Sequence, residues 1–227
     1  SELSDSGCEG AIGVALGGDA STSTSGFWAA LNNATTRKLP MLFYIEDNGY
    51  GISVPGDAQT PGGNIAKNLA AFQNLYILDG DGCDPLQAAT YLARAVQHIR
   101  EGHGPALVHL SVPRLSGHSG QDTQKYKCKL QIATEKSRDP LPRLQEFVLS
   151  EHLMTKRDWA ATVQQVHQDV RVALANVRKR PQPEPADIQR YVFSETGQDG
   201  QVELQQQGGL WPDGHVFPET TTDARVG

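Results

Sequence analysis

The sequence predicts an α/β fold, a parallel doubly wound sheet with a C-terminal helical extension, and three observations carry that expectation. Short apolar runs alternate with amphipathic segments over the first 135 residues, as in parallel sheets covered by helices on both faces. The first two runs are separated by one helix-length segment, the spacing of a strand-helix-strand unit. A long amphipathic stretch, 156–179, then follows the alternating region.

Ala11-Ile12-Gly13-Val14-Ala15-Leu16 reads as the first strand and Met41-Leu42-Phe43-Tyr44-Ile45 as the second. Both are almost uninterrupted, as expected of strands buried on both faces. Between them Phe27, Trp28, Leu31 and Ala34 recur at helical spacing, with Ser25 as the cap and Lys38 and Pro40 at the end. Residues 64–73 read as a short helix and Leu75-Tyr76-Ile77-Leu78 as a strand. Asp84 to Arg100 is a helix with Leu86, Ala89, Leu92, Val96 and Ile99 on one face, and Ala106-Leu107-Val108-His109-Leu110 is a further strand. Asp139 caps a helix that Pro140 opens. The acidic run Asp79-Gly80-Asp81-Gly82-Cys83-Asp84 lacks the ligand spacing and closing Glu of an EF-hand loop, so it reads as a turn with Asp84 capping the next helix.

In the stretch 156–179, Trp159, Val163, Val166, Val170, Leu174 and Val177 are spaced by three and four. Such a stripe reads as core, with a subunit contact as the alternative. Arg178-Lys179-Arg180 at its end suit the helix dipole rather than nucleic acid. After Pro181 the composition turns to Pro, Gly and Gln, a linker or loosely packed tail. There Val192, Phe193, Val202 and Leu204 suggest one short strand pair, and Trp211-Pro212-Asp213-Gly214 a turn. The expected organisation is therefore an α/β core over 1–135, a helical extension over 136–185 and a tail over 186–227.

At 227 residues the chain is long enough to build a core without staples. A net charge of −6 and a pI near 5.6 argue against nucleic acid or an anionic membrane as a main partner. Cys8, Cys83 and Cys128 form no CxxC pair and leave an odd count, which fits a reducing, cytoplasmic setting. No run of about 20 apolar residues and no signal-like start points to a membrane span or secretion.

Two short segments, Gly18-Asp19-Ala20-Ser21 and Glu46-Asp47-Asn48-Gly49-Tyr50-Gly51-Ile52-Ser53, directly follow the first two strands. If those strands are neighbours they lie about 5 Å apart, close enough for the Asp19 carboxylate and the Asn48 amide oxygen to share one cation. Magnesium is commonly held by one or two carboxylates and takes further oxygens from a ligand's phosphates. Gly49 and Gly51 flank Tyr50 and would let its carbonyl face inward. The amides of Ala20 and Ser21 open toward a helix N-terminus, which favours a phosphate. Singly, a Gly-Asp or an Asn-Gly after a strand is usually only a turn. Together, one crossover apart, they read as two halves of a metal-diphosphate site.

These segments resemble the thiamine diphosphate-dependent α subunit (E1α) of 2-oxo acid dehydrogenase complexes, which act on pyruvate or branched-chain 2-oxo acids. The family's cofactor motif begins Gly-Asp-Gly-Ala and ends in Asn-Asn, one further residue, then Tyr-Ala-Ile-Ser. By that resemblance Asp19, Asn48 and the Tyr50 carbonyl are the magnesium ligands, and Gly18, Ala20, Ser21, Asn48 and Ile52 adjoin thiamine diphosphate. Two departures stand out: Ala20 replaces a Gly, and Asp47 replaces an Asn and adds negative charge beside the site. A second stretch, Arg114-Leu115-Ser116-Gly117-His118-Ser119-Gly120-Gln121-Asp122 through Tyr126-Lys127, is similar to the family's active-site loop. The loop brings a cation and a titratable imidazole to the carboxyl end of a strand, where α/β ligands bind. The resemblance implies that Arg114 and His118 contact the diphosphate or orient the substrate and an incoming lipoyl group. It also places Ser119 where animal mitochondrial members are phosphorylated. His98, His103 and His109 have no comparable context.

The family resemblance runs from about Ala11 to about Pro185 and implies oxidative decarboxylation of a 2-oxo acid. Its implied partners are a β subunit, in a heterotetramer, and a lipoyl-bearing E2 component. The β subunit supplies the glutamate that activates the cofactor's aminopyrimidine. Relative to the family the chain lacks several upstream elements and reads as the cofactor-binding core of an α subunit or a gene fragment. Rival readings are another thiamine diphosphate enzyme, transketolase-like or acetoin-cleaving, and a degenerate subunit with a structural role.

Overall fold

The computed structural model describes residues 10–185 and 188, and the chain divides into two units, 1–155 and 156–227. The first unit is mixed α/β. Its main sheet has four parallel strands in the order β1 (Gly13–Gly18), β2 (Met41–Asp47), β6 (Ala106–Ser111) and β5 (Tyr76–Asp81). A separate two-residue hairpin pairs β3 (Tyr50–Gly51) with β4 (Val54–Pro55), Tyr50 opposite Pro55.

Helices lie on both faces of the sheet because alternate strand residues point opposite ways. On one face Phe43 and Ile45 of β2 and Leu107 of β6 pack with Leu31 of α1 (Ser25–Arg37) and with Ile65 and Ala66 of α2 (Ile65–Asn68). On the other, Leu42, Leu78, Val108 and Leu110 pack with Ala95 and Ile99 of α3 (Pro85–Arg100). Strand β6 lies between two neighbours and is the most enclosed, with Ala106, Leu107 and Val108 at 0% exposure. Truncating Leu107 to Ala would cost about 3 kcal/mol, the usual penalty for a deleted core leucine.

The first strand departs from expectation. Among the described residues it is the outermost strand and pairs only with β2, and Val14 and Leu16 are 51% and 76% exposed rather than buried on both faces. The α3 side of the sheet draws in only Ile12 from this end of the chain. Strands β1 and β2 are nonetheless parallel neighbours, Gly18 opposite Glu46, so Asp19 and Asn48 emerge at one sheet edge.

Most helix boundaries follow their caps. Asp84 accepts from the amides of Leu86 and Gln87 at 3.0 Å each, and Asp139 accepts from Leu141 ahead of α5 (Pro140–Ser150). The cap of α1 is Thr24, whose hydroxyl accepts from the Phe27 amide, one residue before the expected Ser25. The helix expected over 64–73 closes after one turn. Asp79, Gly80 and Asp81 continue β5 rather than forming a turn, because they pair with His109, Leu110 and Ser111 of β6. Helix α4 (Lys129–Ser137) was not apparent in the sequence.

The second unit contains α6 (Lys156–Lys179), and none of its residues is buried. Val163, Val166, Val170, Leu174 and Val177 are exposed, so the stripe is not core. The strand pair at Val192–Leu204 and the turn at Trp211–Gly214 lie outside the described residues. Among the described residues no helix is long and apolar enough to cross a membrane.

Candidate functional site

The C-terminal edge of the sheet gathers the chemistry. Strand β1 ends at Gly18 and passes into a single 3-10 helix, Asp19–Ser23, held by the Ser21 hydroxyl donating to the Gly18 carbonyl and the Thr22 hydroxyl donating to the Asp19 carbonyl, both at 2.7 Å. This tight turn directs the Asp19 side chain inward, where the residue is only 7% exposed. Neither of its carboxylate oxygens has a hydrogen-bond partner. Burial, and then the negative charge of Asp47, push its pKa up. The backbone amides of Asp19 itself and of Asn48, and then Arg114, are near enough to temper that shift, although no amide reaches bonding geometry. A buried carboxylate without a partner is costly unless a cation meets it.

Beyond β2 the chain makes an Asx turn. The Gly49 amide donates to Asp47 Oδ1 at 2.8 Å and the Tyr50 amide to Asn48 Oδ1 at 3.1 Å. Gly49 has φ +75°, a conformation that favours glycine. Gly51 does not share it and has a different role: a Cβ there would lie 2.7 Å from the Ala20 Cβ and would collide with Gln59. The positive φ in the hairpin belongs to Ile52, at 57°, and its side chain is 61% exposed.

The loop after β6 closes the other side. Arg114 is buried, its Nη1 donates to the Tyr50 carbonyl at 3.3 Å, and its guanidinium lies over the Tyr50 and Tyr126 rings at 5.8 and 5.9 Å. Asp122 Oδ2 accepts from the His118 amide and the Tyr126 hydroxyl, and Oδ1 accepts from the Gln124 amide. Those donors, the two amides first, hold the Asp122 carboxyl below its ordinary range. Lys127 is buried too, pairing with Glu135 at 2.6 Å and lying 4.6 Å from the Tyr50 ring centre. Together Asn48, Tyr50, Arg114, Ser116, Gly117 and His118 line an open cleft of about 340 Å³. His118 is exposed at its rim, and Ser119, the next residue, is also exposed.

The structure thus brings Asp19, Asn48, Tyr50 and Arg114 to one edge, with Gly18, Ala20 and Ser21 in the turn beside them. The donor set of one carboxylate, one side-chain amide and one backbone carbonyl fits magnesium, whose remaining ligands come from water and phosphate. It contains too few acids to form a cluster of three or more His, Cys, Asp or Glu, and none is present among the described residues. Of the three donor groups only the Asp19 carboxylate is unengaged, since Asn48 accepts from its own turn and Tyr50 from Arg114.

Sequence reasoning passed over His109. It is 2% exposed, with Nε2 3.0 Å from Asp47 Oδ2 and Nδ1 2.8 Å from Asp79 Oδ1. The available signal was a histidine inside an apolar strand whose flanking strands both carry acids near their C-terminal ends. Lys127, Gln59 and Gln131, which donates to the Tyr50 hydroxyl at 2.7 Å, carried no such signal.

Comparison with known proteins identifies the group. A family model described as "Dehydrogenase E1 component" matches residues 8–186. The chain is 26% identical over 178 residues to "Pyruvate dehydrogenase E1 component subunit alpha" of Porphyra purpurea, covering 78% of this chain and 52% of the relative. It is 26% identical over 186 residues to the protein of that name from Bacillus subtilis (81% and 50%). It is 27% identical over 178 residues to the same organism's "2-oxoisovalerate dehydrogenase subunit alpha" (78% and 54%). The chain spans about half the length of these curated relatives. With a match over most of its length, including every segment of the site, the chain belongs to the dehydrogenase E1 component family.

Proposed function

We propose that this chain acts as the α subunit of a 2-oxo acid dehydrogenase E1, binding Mg-thiamine diphosphate for oxidative decarboxylation of a 2-oxo acid and acyl transfer to a lipoyl-bearing E2. The observation that carries the proposal is the buried Asp19 carboxylate, unpartnered and beside Asn48 at the carboxyl edge of a parallel sheet. In this reading the fold is a doubly wound thiamine diphosphate-binding core over 1–135, with a helical extension over 136–185 and a tail beyond. The free thiols of Cys83 and Cys128 accord with a cytoplasmic location.

Asp19, Asn48 and the Tyr50 carbonyl would hold the magnesium, and Gly18, Ala20, Ser21 and Ile52 would adjoin the cofactor. When bound, thiamine diphosphate supplies the carbanion chemistry that protein side chains lack. Arg114, pre-positioned on two aromatic rings, gives its guanidinium to an anionic oxygen, for which its fork of donors is suited. His118, at the rim, orients the 2-oxo acid or the incoming lipoyl group. A β subunit contributes the activating glutamate, so activity requires both subunits.

Titration of the purified chain with thiamine diphosphate, with and without magnesium and with and without a β subunit, tests the assignment. Metal-dependent binding that disappears in Asp19→Ala supports it. No metal-dependent binding even with the partner present would leave the structural-subunit reading in its place. Decarboxylation of pyruvate against 2-oxoisovalerate by the reconstituted pair then identifies the substrate.

A further inference from the structure

Three adjacent strands place a row of ionisable side chains across one face of the sheet, at its carboxyl end. Asp79 of β5 stands directly opposite His109 of β6, and Asp47 of β2 is the diagonal neighbour, two positions beyond Ile45. The ring nitrogens each meet a different carboxylate, at 2.8 and 3.0 Å. A neutral imidazole has one N–H and one lone pair, and an ionised carboxylate only accepts. Two ionised carboxylates on one ring are both satisfied only when both nitrogens carry hydrogen, which is the imidazolium form.

The row continues into the turn that bears the site. Asp47 uses its other oxygen, Oδ1, to accept from the Gly49 amide at 2.8 Å, and this bond fixes the Asn48-Gly49-Tyr50 turn. At the far end, Asn64 donates to Asp79 Oδ2 at 3.1 Å, so both carboxylates are themselves oriented. Asp19 lies near enough to Asp47 to feel its charge. An acid at position 47 would therefore work against a second buried acid, unless a positive group balances it.

We propose that His109, as an imidazolium bridging Asp47 and Asp79, is a positioning residue that locks the Asn48–Tyr50 turn and neutralises the charge of Asp47 beside Asp19. Burial alone would lower the pKa of His109, but the hydrogen bonds and charges of Asp47 and then Asp79 outweigh it and raise it. The groups facing the ring are Asp47 from β2 and Asp79 from β5; Arg114 acts on Asp19, on the Asp47 side of the row. The consequence for metal binding rests on the reading of Asp19 and Asn48 as ligands. The protonation and the turn lock do not.

The test uses the purified full chain without ligand. Histidine-labelled NMR should show the His109 ring titrating above the ordinary value of about 6.5. Amide hydrogen exchange at Gly49, corrected for intrinsic base catalysis, should speed up about 10-fold in His109→Gln, as expected when a local hydrogen-bonded unit opens more easily. Adding Asp47→Asn to that variant should restore protection, because the unbalanced charge is gone while Oδ1 still accepts from Gly49. A merely space-filling role for His109 predicts no such rescue. A ring that titrates at or below 6.5, unchanged Gly49 exchange in His109→Gln, or failure of Asp47→Asn to rescue it would each overturn the proposal. Magnesium-dependent thiamine diphosphate binding, measured in the same variants, should weaken in His109→Gln and recover in the double variant. If wild type binds no cofactor, the functional reading fails, and the ring titration and Gly49 exchange decide His109 by themselves.

Discussion

Asp19 and His109 are both buried ionisable residues at the carboxyl edge of the same sheet, and they differ in how their polar atoms are met. Both nitrogens of His109 face carboxylates, whereas both oxygens of Asp19 face nothing that donates to them. A satisfied group of this kind is part of the scaffold, while an unsatisfied one carries a standing cost that only a ligand relieves. The contrast separates the two by physical criteria, without appeal to which residue type is more often catalytic.

The largest expected effect breaks the comparison from the Asp19 side. Asp19→Asn should weaken magnesium-dependent thiamine diphosphate binding by at least about 100-fold, since charge-assisted contacts to a ligand are the strong ones. Calorimetric titration measures it. The same substitution should leave denaturant stability unchanged or raised by about 1 kcal/mol, because it removes an uncompensated buried charge. A binding residue that stabilises the fold when lost is the signature of a site built for its ligand.

Removing His109 should do the opposite. His109→Leu leaves Asp47 and Asp79 on either side of β6 without a cation between them and should cost about 2 kcal/mol in denaturant unfolding, below the range for a fully buried ion pair because Asp79 is partly exposed. The pH dependence has a fixed sign. With its folded pKa raised, His109 contributes fully below its unfolded value near 6.5, and the contribution is lost as pH rises through the folded value. Wild type should therefore lose stability as pH rises above about 6.5, and His109→Leu should show a flatter profile there.

A smaller effect lies where the two halves of the site touch. The Ala20 Cβ fills the space that a Cβ on Gly51 would need. Gly51→Ala should cost about 1–2 kcal/mol through overpacking, and Ala20→Gly should recover part of it, with a coupling near 1 kcal/mol. This accounts for the first departure from the family motif. Where the family has Gly and then Ala, this chain has Ala20 and Gly51, and only one of the two positions has room for a methyl.

Smallest is Asp81, a partly exposed acid paired with Arg138 at 2.9 Å and more loosely with Arg143. Burial opposes its ionisation, but the Cys83 amide and Arg138 override that and lower its pKa. Its contribution is therefore present above the unfolded value near 4 and lost as pH falls through the folded one. Given its exposure, Asp81→Asn should cost under about 1 kcal/mol at neutral pH, and thermal melts between pH 3 and 7 would show the difference vanish at the acid end.

The sheet was legible because strands β2, β5 and β6 are apolar runs flanked by amphipathic helices with proper caps. The exposure of β1 was not, since composition does not say which strand stands at an edge. Hairpin β3–β4 has two residues per strand, too few to show alternation, and α4 is capped by Cys128, a weak signal. That Asp19, Asn48 and Arg114 come to one edge of the sheet could be read from motif and spacing, both local properties. The partner of Asp47 could not, because His109 lies 62 positions away and joins it only through strand order.

The central claim is that Asp19 waits for a cation held jointly with Asn48 and a diphosphate. Its most direct test is a crystal of the protein grown with manganese and thiamine diphosphate, with anomalous scattering used to locate the metal. A single peak about 2.1 Å from an Asp19 carboxylate oxygen, within reach of the Asn48 amide oxygen and the diphosphate, is the predicted result. Bound thiamine diphosphate with its metal away from Asp19, or with no metal at all, would contradict it.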